Sequence, residues 1–264
     1  MVLRSLRTGG RATGRSSTAL FKARSRTPAF PIGGPSAMTL QLQALFARAF
    51  ASSSMLRRKM KNAGDVADFV DWQLDRFGNF HIYSRREDLW EGLMRRLDSS
   101  EPLTVLEFGV AWGYSTQWWL ARLKDPTVVW HGFDRFTGLP RAWRGLQAGA
   151  FDAEGKPPPI NDARLRWHVG EVEEKLLELP RNDLERARRL VLFDLDIFEP
   201  TAIAWSYLAP WLRAGDLLYF DEAMDEDERR VLDELVLPSG AVEYIGATAS
   251  ALALRVTRPV SPVS

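Results

Sequence analysis

Leu106-Glu107-Phe108-Gly109-Val110-Ala111-Trp112-Gly113-Tyr114-Ser115-Thr116 is the stretch that decides the fold. An apolar run from Leu103 to Val110 breaks into glycines, and a helical segment, Ser115 to Lys124, follows at once. Glycines let backbone approach a ligand closely, and Ser115 can cap the helix. In an open α/β sheet the crevice beyond the carboxyl ends of the strands is where ligands bind, so this turn is a candidate nucleotide site. A glycine-containing turn with no ligand is the plain alternative. The spacing Gly109-xxx-Gly113 fits neither the dinucleotide G-x-G-x-x-G pattern nor the terminal Gly-Lys-Ser/Thr of a P-loop, which argues against a dehydrogenase and a phosphotransferase.

Outward from the turn, strands and helices alternate. Thr127 to Asp134 reads as a strand, Leu165 to Val169 as a short strand, Glu171 to Leu179 as a helix and Arg189 to Asp196 as a strand. Thr201 to Leu212 reads as a helix, Asp216 to Asp221 as a strand and Glu226 to Leu235 as a helix. Alternation of this kind implies a parallel sheet covered on both faces, and Val191-Leu192-Phe193 and Leu217-Leu218-Tyr219-Phe220 suit doubly buried strands. Ala241 to Ile245 and Ala251 to Val256 are separated by too few residues for a crossover helix, so one runs antiparallel to the other. The expected fold class is therefore α/β: a Rossmann-like, doubly wound, mostly parallel sheet with an antiparallel C-terminal strand. Two amphipathic helices precede it, one carrying Val66, Phe69, Val70, Leu74 and Phe77, the other Leu89, Leu93 and Leu97.

Composition narrows the function classes. A chain of 264 residues, 45% hydrophobic and 26% charged, buries one substantial core and requires no second domain. The net charge of +1 conceals an asymmetry, because Arg4 through Lys61 are basic and Asp65 is the first acid. The remainder is net acidic, which argues against nucleic acid as a partner of the core. With no cysteine there are no disulfides, thiolate metal sites or thiol nucleophiles. No apolar run approaches the roughly 20 residues needed to span a bilayer. Residues 1–62 read as an extension, either a mitochondrial or plastid transit peptide or an upstream start ahead of Met38 or Met55; 63–258 as the catalytic domain; 259–264 as a tail. The location follows that choice: an organelle for a transit peptide, the cytoplasm otherwise. A homo-oligomer is compatible with the sequence and not specified by it.

Acids stand at the ends of the predicted strands. Asp134 closes the second, where it can accept hydrogen bonds from a ribose diol or cap the following turn. Asp194 and Asp196, two apart, share one face if their strand persists that far, and Asp221-Glu222 end the next strand, both facing one site only if the chain turns there. Carboxylates crowded at an apolar rim raise one another's pKa unless a cation such as Mg²⁺ offsets the charge; separate solvated acids are the alternative. The Asp225-Glu226-Asp227-Glu228 run reads as a solvated helix start. His81, His131 and His168 have no partner at metal-ligand spacing and read as packed or surface residues, with His131 an alternative base. Trp118, Trp119 and Trp205 read as core, Trp112 and Trp143 as contacts to a ligand. Between Asp134 and Arg164 lies a long segment rich in glycine and proline, of the kind that forms lids.

Taken together, Val105 to Val110 with Gly113 and Ser115, His131-Gly132-Phe133-Asp134-Arg135-Phe136-Thr137-Gly138-Leu139-Pro140, Asp194-Leu195-Asp196, and Gly215-Asp216 leading to Asp221-Glu222 resemble the macrocin O-methyltransferase (TylF/MycF-like) group of class I methyltransferases. The resemblance implies S-adenosylmethionine bound by Glu107, Gly109, Gly113, Ser115 and Asp134, and a divalent metal, Mg²⁺, on Asp194, Asp221 and Glu222. It also implies Asp196 as general base and, as acceptor, a hydroxyl on a small molecule such as a sugar or glycosylated metabolite. Leu192, Phe198 and Glu222-Ala223 stand where the family often has His, Tyr and Asp-Tyr. Those departures raise a second reading, a cofactor-binding protein that has lost metal-dependent catalysis.

Overall fold

A computed structural model of the chain describes residues 37–78, 81–97, 100–185 and 187–260. Residues 1–36 of the N-terminal extension and 261–264 of the tail lie outside them.

The chain divides between Ser53 and Ser54. The described part of the first unit is helix α1, Ala37–Ser52. The second unit begins with α2, Ser54–Phe77, so helix starts well ahead of the expected boundary at residue 63. It continues through α3 (Arg86–Met94), β1 (Leu103–Phe108), α4 (Tyr114–Leu120), β2 (Val129–Asp134), β3 (Leu165–Val169), α5 (Val172–Lys175) and α6 (Arg181–Glu185). Then come β4 (Arg188–Phe193), α7 (Phe198–Leu208), β5 (Leu217–Phe220), α8 (Glu226–Val231), β6 (Val242–Ala247) and β7 (Leu252–Val256).

The seven strands are ordered β3-β2-β1-β4-β5-β7-β6. β3, β2, β1, β4 and β5 are parallel, and β7 is antiparallel to both β5 and β6. The doubly wound sheet with an antiparallel C-terminal strand is thus the observed architecture. Winding reverses between β1 and β4, and that reversal opens a crevice above their carboxyl ends.

Strand alternation sends the two sets of side chains into two cores. Leu106, Phe108, Val191, Leu218 and Leu254 face one layer, while Val105, Trp130, Leu190, Leu217 and Tyr219 face the other with Trp90 and Trp119. The last inward position of four neighbouring strands is phenylalanine. Phe133, Phe108, Phe193 and Phe220 stack in that spatial order, with ring centroids 4.8, 5.7 and 4.6 Å apart. They are also register partners: Phe108 opposite Phe133 and Phe193, and Phe193 opposite Phe220. The ladder lies at the last residue of β1, β4 and β5 and one residue before the end of β2. The residues that follow, Gly109, Asp134, Asp194 and Asp221, come out level at the crevice.

His168 extends the ladder by stacking on Phe133 at 4.3 Å. His131, fully buried, meets His168 through Nδ1 at 2.9 Å and Asp183 through Nε2 at 3.1 Å. Its sequence reading as a packed histidine matches this position. Burial first, and then the neighbouring His168, push its pKa down to about 4, and burial lowers that of His168. A ring held neutral when folded and titrating near 6.5 when unfolded makes stability fall as pH drops from 6.5 towards 4. We expect the stability advantage of the parent over His131→Gln, from urea unfolding, to shrink by on the order of 1–3 kcal/mol between pH 7.5 and pH 4.5. A difference independent of pH contradicts the neutral assignment.

Candidate functional site

The turn after β1 is built by backbone geometry. Gly109 has φ +84°, and a Cβ there would lie 1.8 Å from the carbonyl oxygen of Asp194. The turn after β1 and the turn after β4 therefore touch, across the point where the winding reverses. Gly113, φ +77°, stands at the start of α4, where a Cβ would meet Pro158 and Ile160 at 2.8 Å.

Acids hold this turn from two sides. Asp134 Oδ2 accepts from the N–H of Val110 at 2.8 Å and of Ala111 at 2.7 Å, and Oδ1 accepts from Phe136 N–H at 2.7 Å. Glu107 lies beneath, 1% exposed, accepting from Ser115 Oγ, from Thr116 Oγ1 at 2.6 Å and from Trp130 Nε1 at 2.9 Å. Burial pushes its pKa up to about 7 despite those donors. Its partners are the strand, helix and turn themselves.

Above the strand ends is a cavity of about 500 Å³, within the usual range for small-molecule sites. Gly109, Ser115 and Asp134 line it; Glu107 and Gly113 stand behind its wall. Asp194, Asp196, Asp221 and Glu222 line it as well, so five of the six site acids named from sequence, all but Glu107, share one cavity with the glycine turn. They arrive there by turning, not by strand extension. β4 stops at Phe193, short of the expected Asp196, and Asp196 is carried into the cavity by a left-handed backbone at φ +62°. β5 stops at Phe220 and the chain turns at Asp221, which lets Asp221 and Glu222 both face inward.

Crowding shows in the electrostatics. Asp194 has its pKa raised well above the carboxylate range by sequestration from water, then by Asp221 and Asp196. Asp196 is pushed up to about 8, again by burial first and then by Glu222 and Asp221, with Arg144 opposing. Glu222 rises to about 7, through burial and then Asp221, with Arg144 again opposing. A carboxylate near 8 is poised for proton transfer close to neutral pH.

Four residues to which the sequence reading gave no place in the site complete the cluster. Arg86 donates to Asp221 Oδ2 at 3.2 Å and lies 5.2 Å from the centre of the Tyr114 ring; Tyr219 Oη donates to Asp221 Oδ1. Arg144, on the segment between β2 and β3, reaches Glu222 at 3.2 Å, Asp225 at 3.4 Å and Asp65 at 3.5 Å. Glu228, expected on a solvated face, is instead 0% exposed; Oε2 accepts from Glu222 N–H at 3.0 Å and Oε1 has no partner. Burial, and then the charges of Asp196, Asp221 and Glu222, raise its pKa well above the ordinary glutamate value. Asp225 does serve as a helix cap, accepting from Asp227 N–H. Arg86 and Arg144 had no sequence signal, since they meet their acids across 135 and 78 residues. Glu228 had one: Val231 and Leu232 follow it at core-facing helical spacing.

Asp194, Asp221 and Glu222 are hard oxygen donors, the type Mg²⁺ selects. As placed, they do not fit it. Two of the three are engaged by guanidinium groups, and among the described residues no three acids or histidines are arranged to hold a metal ion.

The segment after β2 closes the cavity from above. Leu139 and Ala150 pair at 2.8 Å, and Leu139, Pro140, Trp143 and Phe151 point into the cavity. Phe151 meets Trp112 edge to face at 5.9 Å, and Trp112 is 61% exposed at the mouth. Trp112 and Trp143, singled out as ligand contacts, both line the space. Trp119 and Trp205 are core.

No protein-family model and no curated protein matches the chain. Among solved structures, the O-methyltransferase NovP superposes with a TM-score of 0.51 at 16% identity, over 65% of this chain and 79% of NovP. The chain has the fold of NovP. The calicheamicin methyltransferase CalS11 is 20% identical over 84% of this chain and 94% of its own, with a TM-score of 0.47, too low to bear on the site. Within a NovP-like fold the crevice between β1 and β4 is where the topology places a ligand. No described helix is long and apolar enough to cross a membrane.

Proposed function

We propose that the chain is an S-adenosylmethionine-dependent O-methyltransferase of the macrocin O-methyltransferase type, acting on a hydroxyl of a small molecule such as a sugar or glycosylated metabolite. One observation carries the reading: Gly109 lies against Asp194, and Asp194, Asp196, Asp221 and Glu222 face the same cavity as the glycine turn. The fold shared with NovP, an O-methyltransferase, agrees with it.

The donor brings a sulfonium-bound methyl group and its own leaving group. What remains for the chain is to bind, align and deprotonate. The turn from Gly109 to Ser115, pinned by Asp134, offers backbone to the donor, and the aromatic rings of Trp112, Trp143 and Phe151 exclude water. Asp196 takes the acceptor proton as the new O–CH₃ bond forms and the S–CH₃ bond breaks, leaving S-adenosylhomocysteine. Metal assistance, which the family resemblance implies, would require Asp221 and Glu222 to leave Arg86 and Arg144. The two arginines supply countercharge in the arrangement described, so no step is routed through a cation.

Incubation with methyl-labelled S-adenosylmethionine and a panel of sugars, nucleotide sugars and glycosides is the test. Label should appear in an alkali-stable ether. Cofactor binding with no transfer to any hydroxyl would support the degenerate binding protein instead.

A further inference from the structure

Arg86 opens α3, and it lines the cavity together with Asp194 and Asp221. A cation in the first turn works against the helix dipole, so the stability of α3 does not account for its place. The guanidinium is held from two sides. It lies over the rings of Trp90 and Tyr114, 5.5 and 5.2 Å from their centres, and Asp221 Oδ2 accepts from Nη1 at 3.2 Å. Among the described residues no other group accepts from it, which leaves most of its N–H groups for a ligand.

Its charge falls on the carboxylates that the family resemblance gives to a metal. Burial opposes the charge of Arg86, but Asp221, then Tyr219 and Asp194, outweigh it and raise its pKa. Glu222, raised by burial first and then by Asp221, is held back by Arg144 and Arg86. One fixed cation thus serves Asp194, Asp221 and Glu222 together. Both oxygens of Asp221 are engaged, Oδ1 by Tyr219 Oη and Oδ2 by Arg86, and Glu222 Oε2 is engaged by Arg144. A divalent ion reaching these acids would have to displace both guanidinium groups or stand beside charges that repel it.

Given the methyltransferase reading, we propose that Arg86 is the cation of this site: its remaining N–H groups bind the acceptor oxygen, and methyl transfer by this chain needs no divalent ion. As Asp196 takes the hydroxyl proton and the methyl passes from sulfur to oxygen, the charge developing on that oxygen meets a donor already fixed by Trp90, Tyr114 and Asp221. Donors aimed in advance at developing charge stabilise a transition state without reorganising. A planar fork can hold Asp221 and the acceptor together, which a lysine ammonium does less well.

Two measurements on the full chain test this. In the labelled-donor assay the parent should transfer methyl equally with EDTA and with Mg²⁺. Arg86→Met, which keeps an apolar stem over the two rings, should lower transfer about 100- to 1,000-fold, the usual range for loss of one such donor. Arg86→Lys should recover only part of that loss, and both variants should bind S-adenosylhomocysteine as the parent does. The second measurement needs no acceptor: binding of Mn²⁺, a paramagnetic stand-in for Mg²⁺, followed by electron paramagnetic resonance with S-adenosylhomocysteine present. The parent should bind it no more tightly than about 1 mM, the weak end of hard-cation sites. Arg86→Met should bind it at least about tenfold more tightly, because a neighbouring positive charge is gone. Parent activity abolished by EDTA and restored by Mg²⁺, tight Mn²⁺ binding by the parent, or full-rate transfer by Arg86→Met would overturn the proposal. A parent that excludes Mn²⁺ and methylates no acceptor would overturn the methyltransferase reading, and the role at the acceptor oxygen with it, while the exclusion of the cation stood.

Discussion

Gly109→Ala is expected to abolish S-adenosylmethionine binding and to lower stability by more than a left-handed alanine alone would. The conformation at φ +84° costs a residue with a Cβ about 1–3 kcal/mol. The new methyl would also sit 1.8 Å from the oxygen and 2.6 Å from the carbon of the Asp194 carbonyl. Both are backbone atoms, held by the N–H of Asp194 on Phe108 and of Gly109 on Phe133. Relief comes only by parting the turns after β1 and β4, which is where the cofactor is proposed to sit. Gly145 provides the control, at φ +85° with no atom within 4 Å of where an alanine methyl would stand. Gly145→Ala should cost about 1 kcal/mol and leave cofactor binding intact. Calorimetry and thermal melts on both variants decide it; identical behaviour would remove the contact between the turns from the account.

Asp196→Asn should lower methyl transfer about 100- to 10,000-fold, the usual range for loss of a positioned base. Cofactor affinity should change by no more than a few-fold, because the turn from Gly109 to Ser115 is untouched. Asparagine is the informative replacement, since it keeps the shape and tolerates the left-handed backbone at φ +62°. Single-turnover transfer from labelled donor, beside a binding isotherm, separates the two effects. Normal turnover would exclude Asp196 as the base.

Much of this architecture was legible in the residues. The alternation of apolar runs with helical segments fixes a parallel sheet, and the short gap between Ile245 and Ala251 requires an antiparallel return. What periodicity cannot show is where a strand stops. Asp194 and Asp196 looked like two positions on one strand face, yet the strand ends at Phe193, level with the phenylalanine ladder that crosses four strands. The acids were legible as a group because each follows a buried apolar run. Their roles were less so: Glu107 and Asp134 are both acids beside the glycine turn, and only the fold shows Glu107 beneath it and Asp134 pinning it from the cavity side. Arg86 and Arg144 escaped notice because charge pairing across the fold leaves no local pattern. Glu228 was hidden in an acidic run whose other members, Glu226 and Asp227, do face outward or half outward.

The account rests on the crevice between β1 and β4 holding S-adenosylmethionine beside the acids. Isothermal titration of the full chain with S-adenosylhomocysteine, which cannot turn over, tests that most directly. The prediction is one molecule bound per chain, binding that persists with a chelator present, and none for Gly109→Ala. No heat of binding from a folded chain, or binding unchanged in Gly109→Ala, would contradict it.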